Sequence, residues 1–251
     1  MPTPAAIVEE LDALLDAPSF GDWCLNGLQV PGEREVQRVV TGVSANHALL
    51  EAAAASGADL VLVHHGLFWG AGVRAIDPVL HQRLALLYGS GIALAAYHLP
   101  LDADPVFGNN ALLARALGAT PAGMFAPSFE KPIGVVAELA PVAPEALASR
   151  LSALLAREPQ MLGRGPAEVT RVAILTGAGA GALDDAARAG AQALITGELS
   201  ERSPALAAEM GLHLIGAGHH ATERLGVRAL GDELARRHGI EHRFIEIDNP
   251  L

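Results

Sequence analysis

Two short stretches of the chain carry residue types suited to metal chemistry. In GHHATER (218–224), His219 and Glu223 stand four residues apart, so on a helix they share one face. In VLVHHG (61–66), His64 and His65 close an apolar run. Two further groups follow apolar runs in the same way: His98 with Asp102 after ALAAY, and Glu198 after ALIT. In open parallel α/β sheets, ligands collect beyond the carboxyl ends of the strands.

Each group has a plain structural reading. Adjacent histidines are more often hydrogen-bonded structure than ligands. Asp102 or Asp104 can cap a helix beginning near Asn109, and His219 with Glu223 can be simple surface neighbours. The conjunction says more. His64, His65, Asp102, His219 and Glu223 give three imidazoles and two carboxylates, a mixture suited to zinc, iron, manganese or nickel. That set is too large for one tetrahedral site and too small to saturate two ions. Two divalent ions bridged by a carboxylate and a water fit it and keep open positions, which marks catalysis rather than a structural staple. The carboxylates offset only half the charge of two such ions, so the site suits an anionic substrate. Glu198 reads either as a general base or as a cap. His98 and His220 read as supports for the ligands, as substrate contacts, or as ordinary loop histidines.

A rival motif competes. TGAGAGA follows the run RVAIL and precedes a helical stretch, so Gly177, Gly179 and Ala182 match G-x-G-x-x-[G/A]. Glu198 then stands where a ribose-binding acid of a dinucleotide site belongs.

The bulk composition narrows the classes. At 251 residues the chain can bury a large core, as one big domain or two modest ones. Hydrophobic residues make up 51%, which fits a globular protein, and the net charge of −11 argues against generic affinity for nucleic-acid phosphate. Cys24 is the only cysteine, which excludes an internal disulfide and a thiolate zinc cluster. Lys131 is the only lysine, so a Schiff-base mechanism has a single candidate, and no GxxxxGK[ST] loop is present. The stretch MPTPAAIVEELDALLDA reads as an amphipathic helix with Thr3 as N-cap and Pro4 at its first position, not as a signal peptide. No apolar run approaches the roughly 20 residues of a membrane span. A cytoplasmic protein is the expectation.

Strand-length apolar runs alternate with Ala/Leu-rich helical stretches: RVVTGVS, DLVLVHH, IALAAYH, RVAILTG, QALITGE and LHLIGAG. The alternation predicts an α/β fold with mainly parallel sheets. Residues 38–66 align without a gap to 171–199, pairing Arg38 with Arg171, Val39 with Val172, Leu50 with Leu183 and Gly57 with Gly190. Shared alanine-rich composition is the competing explanation of that likeness. The Pro-containing stretch TPAGMFAPSFEKPIG (120–134) is the candidate boundary. This divides the chain into a metal-binding α/β domain over 1–125 plus 219–251 and a related α/β domain over 126–218. The tail contributes a helix ending at Gly239 and a last strand, RFIEI.

The motifs NGLQV (26–30), VLVHHGLFW (61–69), YHLPLDAD (97–104), GNNALLARALG (108–118), TGE (196–198) and AGHHATERLGVRAL (217–230) occur in this order. The chain resembles the Nif-three-like dinuclear metal centre family, also known as GTP cyclohydrolase I type 2 homologues, from about residue 5 to 248. The resemblance implies metal ligands at His64, His65, Asp102, His219 and Glu223, and two similar α/β domains. It also implies a homohexameric toroid with metal sites facing an inner cavity. The cyclohydrolase name implies attack of a metal-bound hydroxide on the guanine ring of GTP, with ring opening and release of formate. No residue pattern marks guanine, so other nucleotides or phosphorylated anions suit the site as well. The alternative is a non-enzymatic metal-binding hexamer that serves as a scaffold or regulator with a protein or nucleic-acid partner.

Overall fold

The computed structural model describes residues 1–70 and 75–251. The chain begins with α1 (Pro4–Leu14), where Thr3 Oγ1 accepts the Ala6 amide at 3.3 Å and Pro4 sits in the first turn. Next come β1 (Gly27–Val30), β2 (Arg38–Ser44), α2 (His47–Ala55), β3 (Leu60–His65), α3 (Pro78–Ser90) and β4 (Ala93–Ala96). Then follow α4 (Leu99–Ala103), α5 (Asn109–Ala116), β5 (Thr120–Ser128), β6 (Lys131–Val142), α6 (Pro144–Leu155) and β7 (Gln160–Gly163). After these lie β8 (Val169–Leu175), α7 (Leu183–Arg188), β9 (Ala193–Thr196), α8 (Ser203–Glu209) and β10 (His213–Gly216). The last elements are α9 (His219–Thr222), α10 (Arg224–His238) and β11 (Glu241–Phe244). Among the described residues no helix is long and apolar enough to cross a membrane.

The elements form two compact units, Met1–Leu101 with Gly226–Asp248, and Asp102–Leu225 with Asn249–Leu251. The divisions between these units fall after Leu101 and Leu225. The stretch read as the candidate boundary forms the β5–β6 hairpin, with Ser128 paired to Lys131 across the turn. Its two turn residues, Phe129 and Glu130, have φ of 47° and 70°. Two-residue hairpin loops demand positive φ, which Asn and Gly usually supply. Without that signal the prolines looked like a boundary.

The first unit holds a five-stranded sheet in the order β1-β4-β3-β2-β11, parallel except for β1. The second holds a six-stranded mixed sheet, β5-β6-β8-β9-β10-β7, whose parallel centre is β8, β9 and β10. Alternate strand residues bury on opposite faces of this sheet. Val172, Ile174, Ile195 and Ile215 pack with Leu113, Leu147 and Leu151 from α5 and α6. Ala173, Leu175, Leu194 and Leu214 pack with Leu183, Ala186 and Ala207 from α7 and α8. Burial on both faces is why these strands read as continuous apolar runs.

The suspected repeat has structural content beyond composition. β2 pairs with β3 as β8 pairs with β9, with Val39 opposite Leu60 and Val172 opposite Ala193. Gly57 and Gly190 follow the intervening helices at φ of 71° and 72°, a backbone state that other residues adopt at a cost. Arg38 donates to Ser56 O, and Arg171 donates to Ala189 O at 2.9 Å. In this alignment His65, the last residue of β3, corresponds to Glu198, two residues past the end of β9. In each copy the third parallel strand then runs into a short helix bearing a carboxylate. That acid is Asp102 in α4 and Glu223 directly after α9.

Candidate metal centre

In the first unit, β3 carries His64 and His65 out of the sheet at its carboxyl end, beside the ends of its parallel neighbours β2 and β4. His64 is fully buried, and its Nδ1 lies 2.9 Å from the backbone oxygen of Tyr97, just past β4. A carbonyl can only accept, so Nδ1 holds the proton and Nε2 keeps the lone pair. His65 Nδ1 lies 3.0 Å from Ser44 Oγ at the end of β2, the residue opposite it in the ladder. His98 Nδ1 lies 2.8 Å from Asp22 Oδ1, which fixes the same tautomer. Ring nitrogens of His64, His65 and His98 approach to within 4.8 Å of one another.

The Asp22 carboxylate is itself held by its surroundings. Burial pushes its pKa up, but hydrogen bonds from His98, Asn26 and the Cys24 amide outweigh that and keep it below its ordinary value. Asn26 also accepts the His98 amide at 2.8 Å. Gln29 accepts the Leu67 amide at 2.7 Å and so pins the loop after the histidine pair. A Cβ on Gly66 would overlap the Gln29 amide.

In the second unit, Asp102 and Glu223 are both almost fully buried, and an oxygen of one lies within 4.8 Å of an oxygen of the other. Asp102 Oδ1 accepts from Asn109 Nδ2 at 2.9 Å and from Thr176 Oγ1 at 3.4 Å. Asn110, also buried, donates to the Asp102 and Ile133 carbonyls and accepts the Thr176 amide at 2.8 Å. Glu223 does not continue a long helix. It sits at the break between α9 and α10, with Oε2 3.1 Å from His219 Nε2. His219 Nδ1 lies 2.6 Å from Glu198 Oε1. Burial disfavours charge on His219, yet hydrogen bonds and charge from Glu223 and Glu198 outweigh it and push the imidazole up to about 9. The field that holds a proton there also favours a metal cation.

These donor sets fit divalent metal. The Nδ1 atoms of His64, His98 and His219 face groups that only accept, and that of His65 faces a hydroxyl, while Nε2 of His219 faces the Glu223 carboxylate. Metal-binding histidines are oriented in this way by an outer carbonyl or carboxylate. Two buried carboxylates so close together also call for positive charge between them. Glu198, half exposed, is in place to orient His219. His220 is buried, its amide donates to Leu251 O at 3.2 Å, and its ring joins none of the close donor groups among the described residues.

The first glycine of TGAGAGA has a local reason other than a dinucleotide: a Cβ on Gly177 would overlap Glu223 Oε1, so the glycine leaves room for that carboxylate.

A family model described as Duf34/NIF3 (NGG1p interacting factor 3) matches residues 3–250. The chain belongs to this family. A NIF3 relative from Pseudomonas aeruginosa, named GTP cyclohydrolase 1 type 2 homolog, is 45% identical over 247 residues and 98% of each chain is covered. One of the same name from Escherichia coli K12 is 46% identical over 94% of each chain. Among solved structures, "protein ybgI, unknown function" superposes with a TM-score of 0.94 at 43% identity over the whole of both chains. TTHA1606 from Thermus thermophilus gives a TM-score of 0.88 at 35% identity over 98% of both.

Sequence reasoning missed the supporting residues Asp22, Ser44, Asn109, Asn110 and Thr176. NGLQV and GNNALL did stand out as motifs, and their roles are now visible: they hold His98, the loop after His65, and Asp102. The support given by Glu198 is testable. Glu198→Ala is expected to weaken divalent-metal affinity about ten- to hundred-fold in chelator competition, as loss of such an outer partner does. The melting temperature of the metal-free protein should stay close to wild type, because Glu198 is half exposed.

Proposed function

We propose that this chain is a cytoplasmic, homohexameric, metal-dependent hydrolase acting on a nucleotide or a related phosphorylated compound. His64, His65, Asp102, His219 and Glu223 serve as ligands of a dinuclear divalent-metal centre. The observation that carries this reading is that His64, His65 and His219 each have Nδ1 engaged by a neighbour, as outer partners engage metal-binding histidines. When bound, the metal pair supplies Lewis acidity that polarises a substrate and makes water a better nucleophile near neutral pH. The name GTP cyclohydrolase 1 type 2 homolog, borne by relatives at about 45% identity, supports GTP ring opening as the reaction to try first.

The chain's own groups divide the remaining work. Asp102 and Glu223 offset part of the metal charge and leave the site attractive to an anion. Glu198 fixes the His219 ring. His98, locked by Asp22, is the proposed imidazole for proton exchange with substrate, and His220 a supporting side chain. Metal-loaded protein should release formate from GTP or hydrolyse another member of a nucleotide panel, and light scattering should give a hexameric mass. Tight metal binding with inertness across the panel would favour the non-enzymatic scaffold instead.

A further inference from the structure

The Trp69 side chain stands beside the histidine cluster of the first unit without being absorbed into a core. Its ring centroid is 5.1 Å from that of His98, edge-on at 73°, and 5.9 Å from that of His65. The residue remains 42% exposed. Exposure alone is ordinary for an aromatic side chain. This one is held rigidly while uncovered. Its Nε1–H donates to Gly66 O at 2.9 Å, and its backbone bridges to Cys24. The flanking amide of Leu25 donates to Phe68 O at 3.0 Å, and that of Gly70 donates to Trp23 O at 2.6 Å. The loop between Gly66 and Trp69 is fixed again by Gln29. A rigid, half-open indole meets a flat ring with little loss of side-chain entropy.

We propose that Trp69 is a stacking platform for a planar heteroaromatic ring of the substrate, a nucleobase or a similar heterocycle. This rests on reading His64 and His65 as metal ligands, because it places the ring next to the reacting centre. Stacking tolerates any flat heterocycle and needs no hydrogen-bond code. That accounts for a sequence that suits nucleotides yet shows no guanine-reading pattern.

Only Trp23 and Trp69 are tryptophans, so Trp23→Phe leaves Trp69 as the sole indole reporter. Titrating that variant, metal-loaded, with guanosine or GTP should quench the emission saturably, whereas tripolyphosphate and ribose 5-phosphate should not. Trp69→Leu should raise KM for a heteroaromatic substrate roughly ten-fold with kcat little changed, and Trp69→Phe should recover most of it. No quenching by any nucleoside, or equal quenching by tripolyphosphate, overturns the proposal. Turnover of GTP without a Trp69 response would defeat stacking and leave the hydrolase reading standing. A saturable response without turnover would keep stacking and defeat the hydrolase reading.

Discussion

With alanine in place of His64, the protein is expected to lose bound divalent metal and nucleotide turnover together. His64 is fully buried at the end of a central parallel strand, and the Tyr97 carbonyl sets its tautomer. Removing the ring deletes a donor outright. The loss of affinity should therefore exceed the roughly ten- to hundred-fold effect of deleting an outer partner. Turnover should fall by about three orders of magnitude or more, as expected when the source of an activated water is removed. A buried imidazole replaced by alanine also leaves a cavity, so a fall in stability could imitate the result. Glu223→Gln separates the two causes, since it keeps shape and volume while removing the charge. Elemental analysis of each purified variant, with a thermal melt beside it, checks the prediction. Wild-type metal content in both folded variants would sink the assignment, and full activity in both would sink the mechanism.

Much of this candidate site was legible because several of its residues sit where parallel strands end. His64 and His65 close an apolar run, and such runs are buried strands whose carboxyl ends face ligands. Thr3 and Pro4 likewise announced α1 through local capping chemistry that needs no tertiary information. What could not be read depends on register. The partner of His64 is a backbone oxygen, which any residue at position 97 would offer, and only the alignment of β3 with β4 brings it there. Ser44 meets His65 because the β2–β3 ladder sets them opposite each other. Asp22 lies 76 residues from His98 in a segment without regular periodicity. The β5–β6 hairpin was hidden for a local reason: Phe129 and Glu130 occupy a turn whose backbone usually asks for Asn and Gly. The repeat was visible as a pattern, but its meaning emerged only with the matching registers of β2–β3 and β8–β9.

Gly177→Ala should weaken the proposed metal site, although position 177 carries no donor. Gly177 has φ of 65°, where alanine costs about 1 kcal/mol relative to a relaxed backbone. The larger effect is steric. The added methyl would overlap Glu223 Oε1 and lie 3.3 Å from His219 Nε2. Glu223 has little room to retreat: it is 2% exposed and sits at the break between α9 and α10. Backbone movement is restrained as well. The Gly177 amide donates to Thr222 Oγ1 at 3.2 Å, and its carbonyl accepts the Glu198 amide at 2.8 Å. Strain at this one atom therefore passes to Glu223, His219 and Glu198 at once. The expected result is a melting temperature lowered by several degrees and metal affinity reduced at least roughly ten-fold. Gly181→Ala is the matched control, because a methyl there meets nothing within 4 Å and should leave both properties unchanged. If Gly177→Ala bound metal like wild type while Gly181→Ala did too, Glu223 would not be a ligand in the position described. If Gly177→Ala instead kept its metal and lost NAD binding, the glycine-rich loop would be a dinucleotide site after all.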